Sequence, residues 1–221
     1  MQNAYGLAIP QTLEDTLSPE RTALIVYDMQ VGILRQLPHA QQIVTNVQRV
    51  LMAARSAGLR VFFMRHLSLP KEVTGVFGLQ MALRWQRATS VEDVTPWFLR
   101  DSPGFLITEE LAPLPTEGVF DKITMSAFEG TPLNIALRDC AINSFIIVGV
   151  ATEIGIEPTV RHGADLGYIP VVVTDACGAG DDAAGRRAVE SMAFIGDTLL
   201  TDVETVCGLL DGSAARSRVT K

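Results

Sequence analysis

TALIVYD, residues 22–28, is a short and nearly continuous apolar run that ends in a carboxylate. A strand that is apolar at every position has both faces buried, which is how the strands of a parallel sheet read. Similar runs recur in RVFFMRH (60–66), NSFIIVGV (143–150), YIPVVVTDA (168–176) and the weaker DTLLTD (197–202), and GVFDK (118–122) reads as a further strand edge. Helical signals lie between them. Residues 40–58 place Ile43, Val47, Val50, Leu51 and Ala54 on one face at the 3.6-residue period and stop at Gly58, a residue suited to a helix C-cap. Thr131-Pro132 before LNIALRDCA reads as a cap residue followed by proline at the first helical position, and Asp202 before Val203-Glu204 opens a last short helix. Strands alternating with helices give an α/β fold, a three-layer α/β/α arrangement around a mostly parallel, Rossmann-like sheet with right-handed crossovers.

The composition suits such a fold. The chain has 221 residues, 48% hydrophobic and 19% charged, enough apolar side chain for one sizeable core, so a single domain over 1–221 is expected. The net charge of -7, without a basic run, argues against a nucleic-acid or anionic-membrane partner and leaves a small-molecule substrate and other proteins. Cys140, Cys177 and Cys207 are odd in number and widely spaced, which indicates neither a disulfide framework nor a zinc site. The N-terminal MQNAYGLAIPQTLEDTL lacks a basic start and an apolar run, and no stretch approaches the ~18 apolar residues of a membrane span. A cytoplasmic location is expected. Residues 70–116 break the alternation, with MALRWQRA as a helix and tryptophans at 85 and 97; a loop this long is expected to be a lid or an oligomer contact, the alternative being a poorly ordered excursion. The polar stretch 211–221 reads as a frayed tail.

In an open parallel sheet, ligands bind outside the C-terminal strand ends. Three features lie there: Asp28 after the first strand, Lys122 in GVFDKITM, and GVATEIGIEPTVRHGADLGY after the fourth. Singly, each has a structural reading: a loop cap for Asp28, a solvated charge for Lys122, helix-start residues for Thr152 and Glu153. Taken together and in order, TALIVYDMQ (22–30), VFFMRH (61–66), DKITMSAF (121–128), VGVATEIG (148–155) and ADLGYIPVVVTDA (164–176) resemble the isochorismatase-like hydrolase superfamily, which includes many cysteine hydrolases. The resemblance runs from about Thr22 to Val206. It implies a six-stranded parallel sheet with a catalytic Asp, Lys and Cys converging at the strand ends, matched here by Asp28, Lys122 and position 155.

Position 155 is Gly155, read as the native residue. Covalent thiol catalysis is thereby put in doubt, and Cys177 reads as a buried, adaptable thiol. The resemblance also implies a route without a nucleophile: the isochorismatases proper carry glycine here and hydrolyse a vinyl ether, which needs a positioned acid. Asp28 takes that role and Lys122 that of an electrostatic anchor for a carboxylated substrate, while Lys122 lowers and burial raises the Asp28 pKa. Against this assignment, ATEIG has Glu153 where the isochorismatases have histidine, closer to the amidase pattern. The resemblance further implies an oxyanion hole from the backbone N–H groups of Ala151 and Gly155, and a cis peptide near Val150-Ala151.

Glu153 has three readings: helix cap, substrate contact or orienter of a water. Gln30 and His66 read either as pocket-lining polar groups or as partners of loop backbone, and Phe128 and Trp85 as apolar walls or simple core. The metal-binding branch uses an Asp and two His near the second strand, a spacing that His39, His66 and His162 do not reproduce, so no metal is expected. GAGDDAAG lacks a nucleotide-loop pattern, and no cofactor is expected. The leading expectation is a non-covalent hydrolase of a small carboxylated metabolite. The alternatives are an amidase that activates water on a C–N bond and a catalytically retired binding protein. A homodimer or higher homo-oligomer is expected.

Overall fold

The computed structural model describes residues 1–219. Its strands are β1 (Gln2–Ala4), β2 (Leu7–Ile9), β3 (Thr22–Tyr27), β4 (Arg60–His66), β5 (Gly118–Lys122), β6 (Ser144–Val150), β7 (Ile169–Gly178) and β8 (Leu199–Thr201). The helices are α1 (Leu13–Thr16), α2 (Val31–Leu34), α3 (Ala40–Ala57), α4 (Val76–Gln86), α5 (Leu133–Asp139), α6 (Glu157–Asp165), α7 (Asp182–Ile195) and α8 (Val203–Val219). Strands β3 to β8 form one six-stranded sheet in the order β5-β4-β3-β6-β7-β8, parallel throughout. β1 and β2 make a separate antiparallel hairpin, which the apolar-run reading did not find.

The strand order explains the sequence pattern. β3 and β6 lie at the centre, and every residue of both is buried. Alternate side chains of β3 enter two cores: Leu24 and Val26 meet Val47, Val50 and Leu51 of α3, whereas Ala23, Ile25 and Tyr27 meet Leu133 and Leu137 of α5 and Val160 of α6. Each such aliphatic side chain taken out of water contributes about 1.5–3 kcal/mol, so the doubly buried strands are the most strongly specified part of the chain. From β3 the chain winds outward through β4 and β5, then returns to β6 and winds the other way. The sheet therefore has its switch point between β3 and β6, where a crevice opens beyond the strand ends.

The helix limits follow from caps. Gly58 ends α3 in the left-handed conformation, φ 78°, with its N–H closing on Ala54 and Arg55 carbonyls, as the sequence predicts. α5 begins one residue later than expected: Pro132 is its N-cap, and the Thr131 hydroxyl accepts from the Leu133 N–H at 3.2 Å. Asp202 caps α8 through the Thr205 N–H at 2.8 Å. That helix has 17 residues, so it is not the short one expected, and the polar stretch from 211, expected to be a frayed tail, is helical to Val219; residues 220 and 221 lie outside the described residues. Among the described residues no helix is long and apolar enough to cross a membrane.

Residues 70–116 hold α4 and several short 3-10 turns. They are anchored: Gln30 and Ile107 form an antiparallel bridge, Val31 N–H donates to Leu106, and Ser68 N–H donates to Phe98. Arg100 reaches Asp121 of β5 at 2.9 Å, and Asp121 also pairs with Arg65 of β4 at 2.7 Å. Phe98, Phe105 and Leu111 of this stretch are buried, and the stretch forms one wall of the crevice.

Candidate active site

β3 delivers Asp28 to the switch point. Its backbone turns left-handed there, φ 50°, an uncommon conformation that Asp tolerates better than most residues, and its N–H donates to the Met64 carbonyl at 3.0 Å. β5 ends in Lys122, whose Nζ lies 2.8 Å from Asp28 Oδ2 with both side chains almost fully buried. Lys122 Nζ also donates to the Thr124 carbonyl at 3.2 Å and stands 4.3 Å from the centroid of the Tyr27 ring. Its donors are thus directed at protein groups, and the ammonium is a partner of Asp28 rather than the free anchor for a substrate carboxylate that the sequence suggests.

The other oxygen, Asp28 Oδ1, is buried without a hydrogen-bond partner. Burial raises the Asp28 carboxyl and Lys122 pulls it down; burial wins, and the group sits at about 6. The same burial lowers the Lys122 pKa. His66 lines the crevice with its pKa pushed down to about 3, first by burial and then by the nearby Lys122 charge, so the imidazole is neutral.

β6 leads into the cis peptide Val150-Ala151. A π-helical turn, Thr152–Ile156, follows and runs into α6, with the Gly155 and Ile156 N–H groups both donating to the Ala151 carbonyl at 2.9 and 3.1 Å. The Gly155 amide expected as a free oxyanion donor is therefore already bonded, because the turn closes on Ala151. Pro158, which has no N–H, lies at the entry of α6 just after this wide turn. Gly155 is buried, and Tyr27 lies over it: a Cβ built on Gly155 would fall 2.2 Å from the phenol oxygen.

Glu153 does not cap its own helix. Its Oε1 accepts from the Gly180 and Asp181 N–H groups at 2.8 and 3.0 Å, tying the π turn to the loop before α7, and its Oε2 is buried without a partner at the edge of the crevice.

These groups line a cleft of about 390 Å³ that includes Asp28, Lys122, Ala151, Glu153, Gly155, His66 and Trp85. It adjoins a more apolar chamber of about 460 Å³ under α4, the two sharing His66, Trp85, Trp97, Phe98 and Met125. Two sequence candidates lie elsewhere. Gln30 is fully buried and staples loop backbone: its Nε2 donates to the His66 and Phe105 carbonyls at 3.0 Å, and its Oε1 accepts from His66 N–H at 2.6 Å. Phe128 is core, stacked on Tyr168 at 5.6 Å and tilted against Phe145 at 5.7 Å. Cys177 is no substitute nucleophile: it lies within β7, its Sγ is 3.8 Å from the Ile147 carbonyl, and burial pushes the thiol up to about 12.

Sequence reasoning missed Tyr27, Met125, Phe98, Gly180 and Asp181 as wall residues. Only Tyr27 carried a usable signal, a large aromatic immediately before the acid and on the face of β3 that looks toward position 155.

Comparison with known proteins accords with the fold. The chain is 29% identical over 216 residues to a ureidoacrylate amidohydrolase from Yersinia enterocolitica, covering 89% of this chain and 92% of that one. It superposes on a cysteine hydrolase from Pseudomonas syringae pv. phaseolicola with a TM-score of 0.76 at 24% identity, covering 90% and 96% of the two chains. An N-carbamoylsarcosine amidase from Thermoplasma acidophilum superposes with a TM-score of 0.69 at 20% identity, covering 83% and 96%. Residues 22–203 match the isochorismatase domain, and the chain belongs to the isochorismatase family of hydrolases.

Proposed function

We propose that the protein hydrolyses a small metabolite without a covalent enzyme intermediate, Asp28 serving as the proton donor. One observation carries the reading: Asp28 has one oxygen held by Lys122 and the other buried, unpartnered and beside the cleft, on a carboxyl that titrates at about 6. A carboxylic acid with that pKa keeps a useful fraction of its proton near neutral pH, which ordinary carboxylates do not. Gly155 supplies no nucleophile.

For a vinyl ether the step balances simply. The Asp28 proton passes to the terminal methylene carbon, leaving an oxocarbenium ion and an Asp28 carboxylate. Lys122 compensates the new charge. Water adds to the cation, its released proton returns to Asp28, and the resulting hemiketal breaks its C–O bond to give a ketone and an alcohol. Trp85, Trp97 and Phe98 give the cleft apolar walls that limit water around the reacting bond.

A second reading is favoured by the amidase names among the similar proteins and by Glu153. In it Asp28 acts as a base on water at a C–N bond, with Glu153 Oε2 orienting that water. The two readings differ in sign with pH. An acid loses activity as pH rises through about 6, whereas a base gains it. The test is pyruvate release from isochorismate and ammonia release from ureidoacrylate, each followed from pH 5 to 9 beside Asp28→Asn. Pyruvate release that falls above pH 6 and vanishes in Asp28→Asn supports the acid. Ammonia release that rises through the same range and is lost in Glu153→Gln supports the base. Turnover indifferent to Asp28 rejects both.

A further inference from the structure

We infer that Tyr27 is a positioning residue for Asp28: its phenol fills the space that a side chain at position 155 would need, and its ring face holds Lys122 against the acid. Sterically, Tyr27 and a side chain at position 155 exclude each other. A Cβ on Gly155 would lie 2.2 Å from the Tyr27 hydroxyl oxygen and 2.5 Å from two ring carbons, far inside contact distance. Tyr27 has little room to retreat. Its backbone is paired with Met64 on one side and Gly149 on the other, and Gly149, at φ 127°, approaches so closely that a Cβ there would meet the Tyr27 carbonyl at 2.1 Å. The phenol donates to the Met125 carbonyl, and the residue is 1% exposed. The glycine at 155 and the tyrosine at 27 therefore occupy one volume between them.

Tyr27 also acts electrostatically on Lys122. Lys122 Nζ is held by Asp28 Oδ2, by the Thr124 carbonyl and by the Tyr27 ring face at 4.3 Å. An ammonium over an aromatic face is attracted by the ring quadrupole, more so where water is excluded. Tyr27 thus supplies one of three contacts that orient the ammonium and, by filling the volume, keeps water from the carboxyl. The charged or titratable groups around Asp28 are Lys122 from β5 and Tyr27 from β3, with His66 of β4, Glu153 of the π turn and Asp181 before α7 lining the same cleft. Of these, Lys122 bonds the carboxyl directly, and Tyr27 has its own pKa raised first by burial and then by the Asp28 charge it feels.

The positioning role rests on the proposed use of Asp28, but its test does not require turnover. Carboxyl-carbon NMR titration, with the Asp28 resonance assigned by its loss in Asp28→Asn, reads the acid directly. Tyr27→Val is expected to admit water and move the Asp28 titration down from about 6 toward ordinary carboxylate values. Tyr27→Phe retains the ring and is expected to keep the titration near the native position. Unchanged titration in Tyr27→Val, or an equal shift in both variants, overturns the positioning role. The shared volume is tested separately by melting. Gly155→Ala is expected to lower the melting temperature by about 2–12 °C in the native background and far less in Tyr27→Val. Equal losses in both backgrounds overturn the steric coupling. A shifted titration in a protein that hydrolyses neither substrate would leave Tyr27 as a tuner of Asp28 and remove the acid role itself.

Discussion

Asp28 and His66 place opposing pH dependences in one cleft. The Asp28 carboxyl rises from 3.8 to about 6 on folding, so the folded state binds more protons than the unfolded one between those values and loses stability as pH rises across them. His66 falls from 6.5 to about 3, so there the unfolded state binds more, and stability is lost as pH falls through that window. The two effects oppose each other between about pH 4 and 6. Single variants are expected to unmask them: the stability of Asp28→Asn should gain on that of the native chain as pH goes from 4 to 6, by on the order of 2 kcal/mol, beyond any constant offset from the unpaired Lys122. Differential scanning calorimetry at several pH values measures this, and a difference that stays flat removes the raised carboxyl. Gly155→Cys alone is expected to destabilise by about 1–3 kcal/mol through overpacking against Tyr27 and to show no thiol-dependent turnover. Thermal melts with site-resolved alkylation check it; a native-like melt with rapid labelling at 155 would contradict the overlap. That Asp28, Lys122 and Gly155 meet in one cleft was legible in sequence because the first two stand at the ends of β3 and β5 and the glycine follows β6 by one turn. Gln30 and Phe128 were not, because the direction of a side chain just beyond a strand depends on the loop it meets.

At the scale of elements, Glu153 links the π turn Thr152–Ile156 to the loop before α7 by accepting two backbone N–H groups. Two exposed backbone donors lose their acceptor in Glu153→Ala and can turn to water instead, so a loss of about 1 kcal/mol is expected. Glu153→Gln retains one carbonyl acceptor and is expected to recover most of that loss, while still failing to orient water in the base mechanism. Urea melts of the two variants separate a structural from a chemical role, and equal losses would show that the carboxylate charge, and not its geometry, holds the loop. The strands and α3 were readable because their burial is periodic or complete. The π turn was not, since Pro158 marks a weakened helix entry without saying whether the chain widens, kinks or stops. Glu153 was open to three readings for a related reason: its partners, Gly180 and Asp181, are 27 and 28 positions away and meet it only after β7 has crossed the sheet.

The whole molecule places its polar chemistry at the β3/β6 switch point and its least protected apolar surface beside it. α4, VFGLQMALRWQ, has no buried residue, and Val76 and Phe77 are 87% and 71% exposed. A helix of that composition gains little by facing water, and contiguous apolar exposure of this kind marks a contact surface. The chain is therefore expected to associate with itself through α4, as the excursion at 70–116 suggests from sequence, and the chamber beneath α4 would then be closed from outside by the second copy. Light scattering at micromolar concentration should give at least twice the 23.9 kDa chain mass, and Phe77→Glu should reduce it to one chain by placing a charge on the contact. A native mass near 23.9 kDa would contradict association. A multiple unaffected by Phe77→Glu would move the contact elsewhere, to a surface such as the exposed β1/β2 hairpin, whose Tyr5 stands free at the turn.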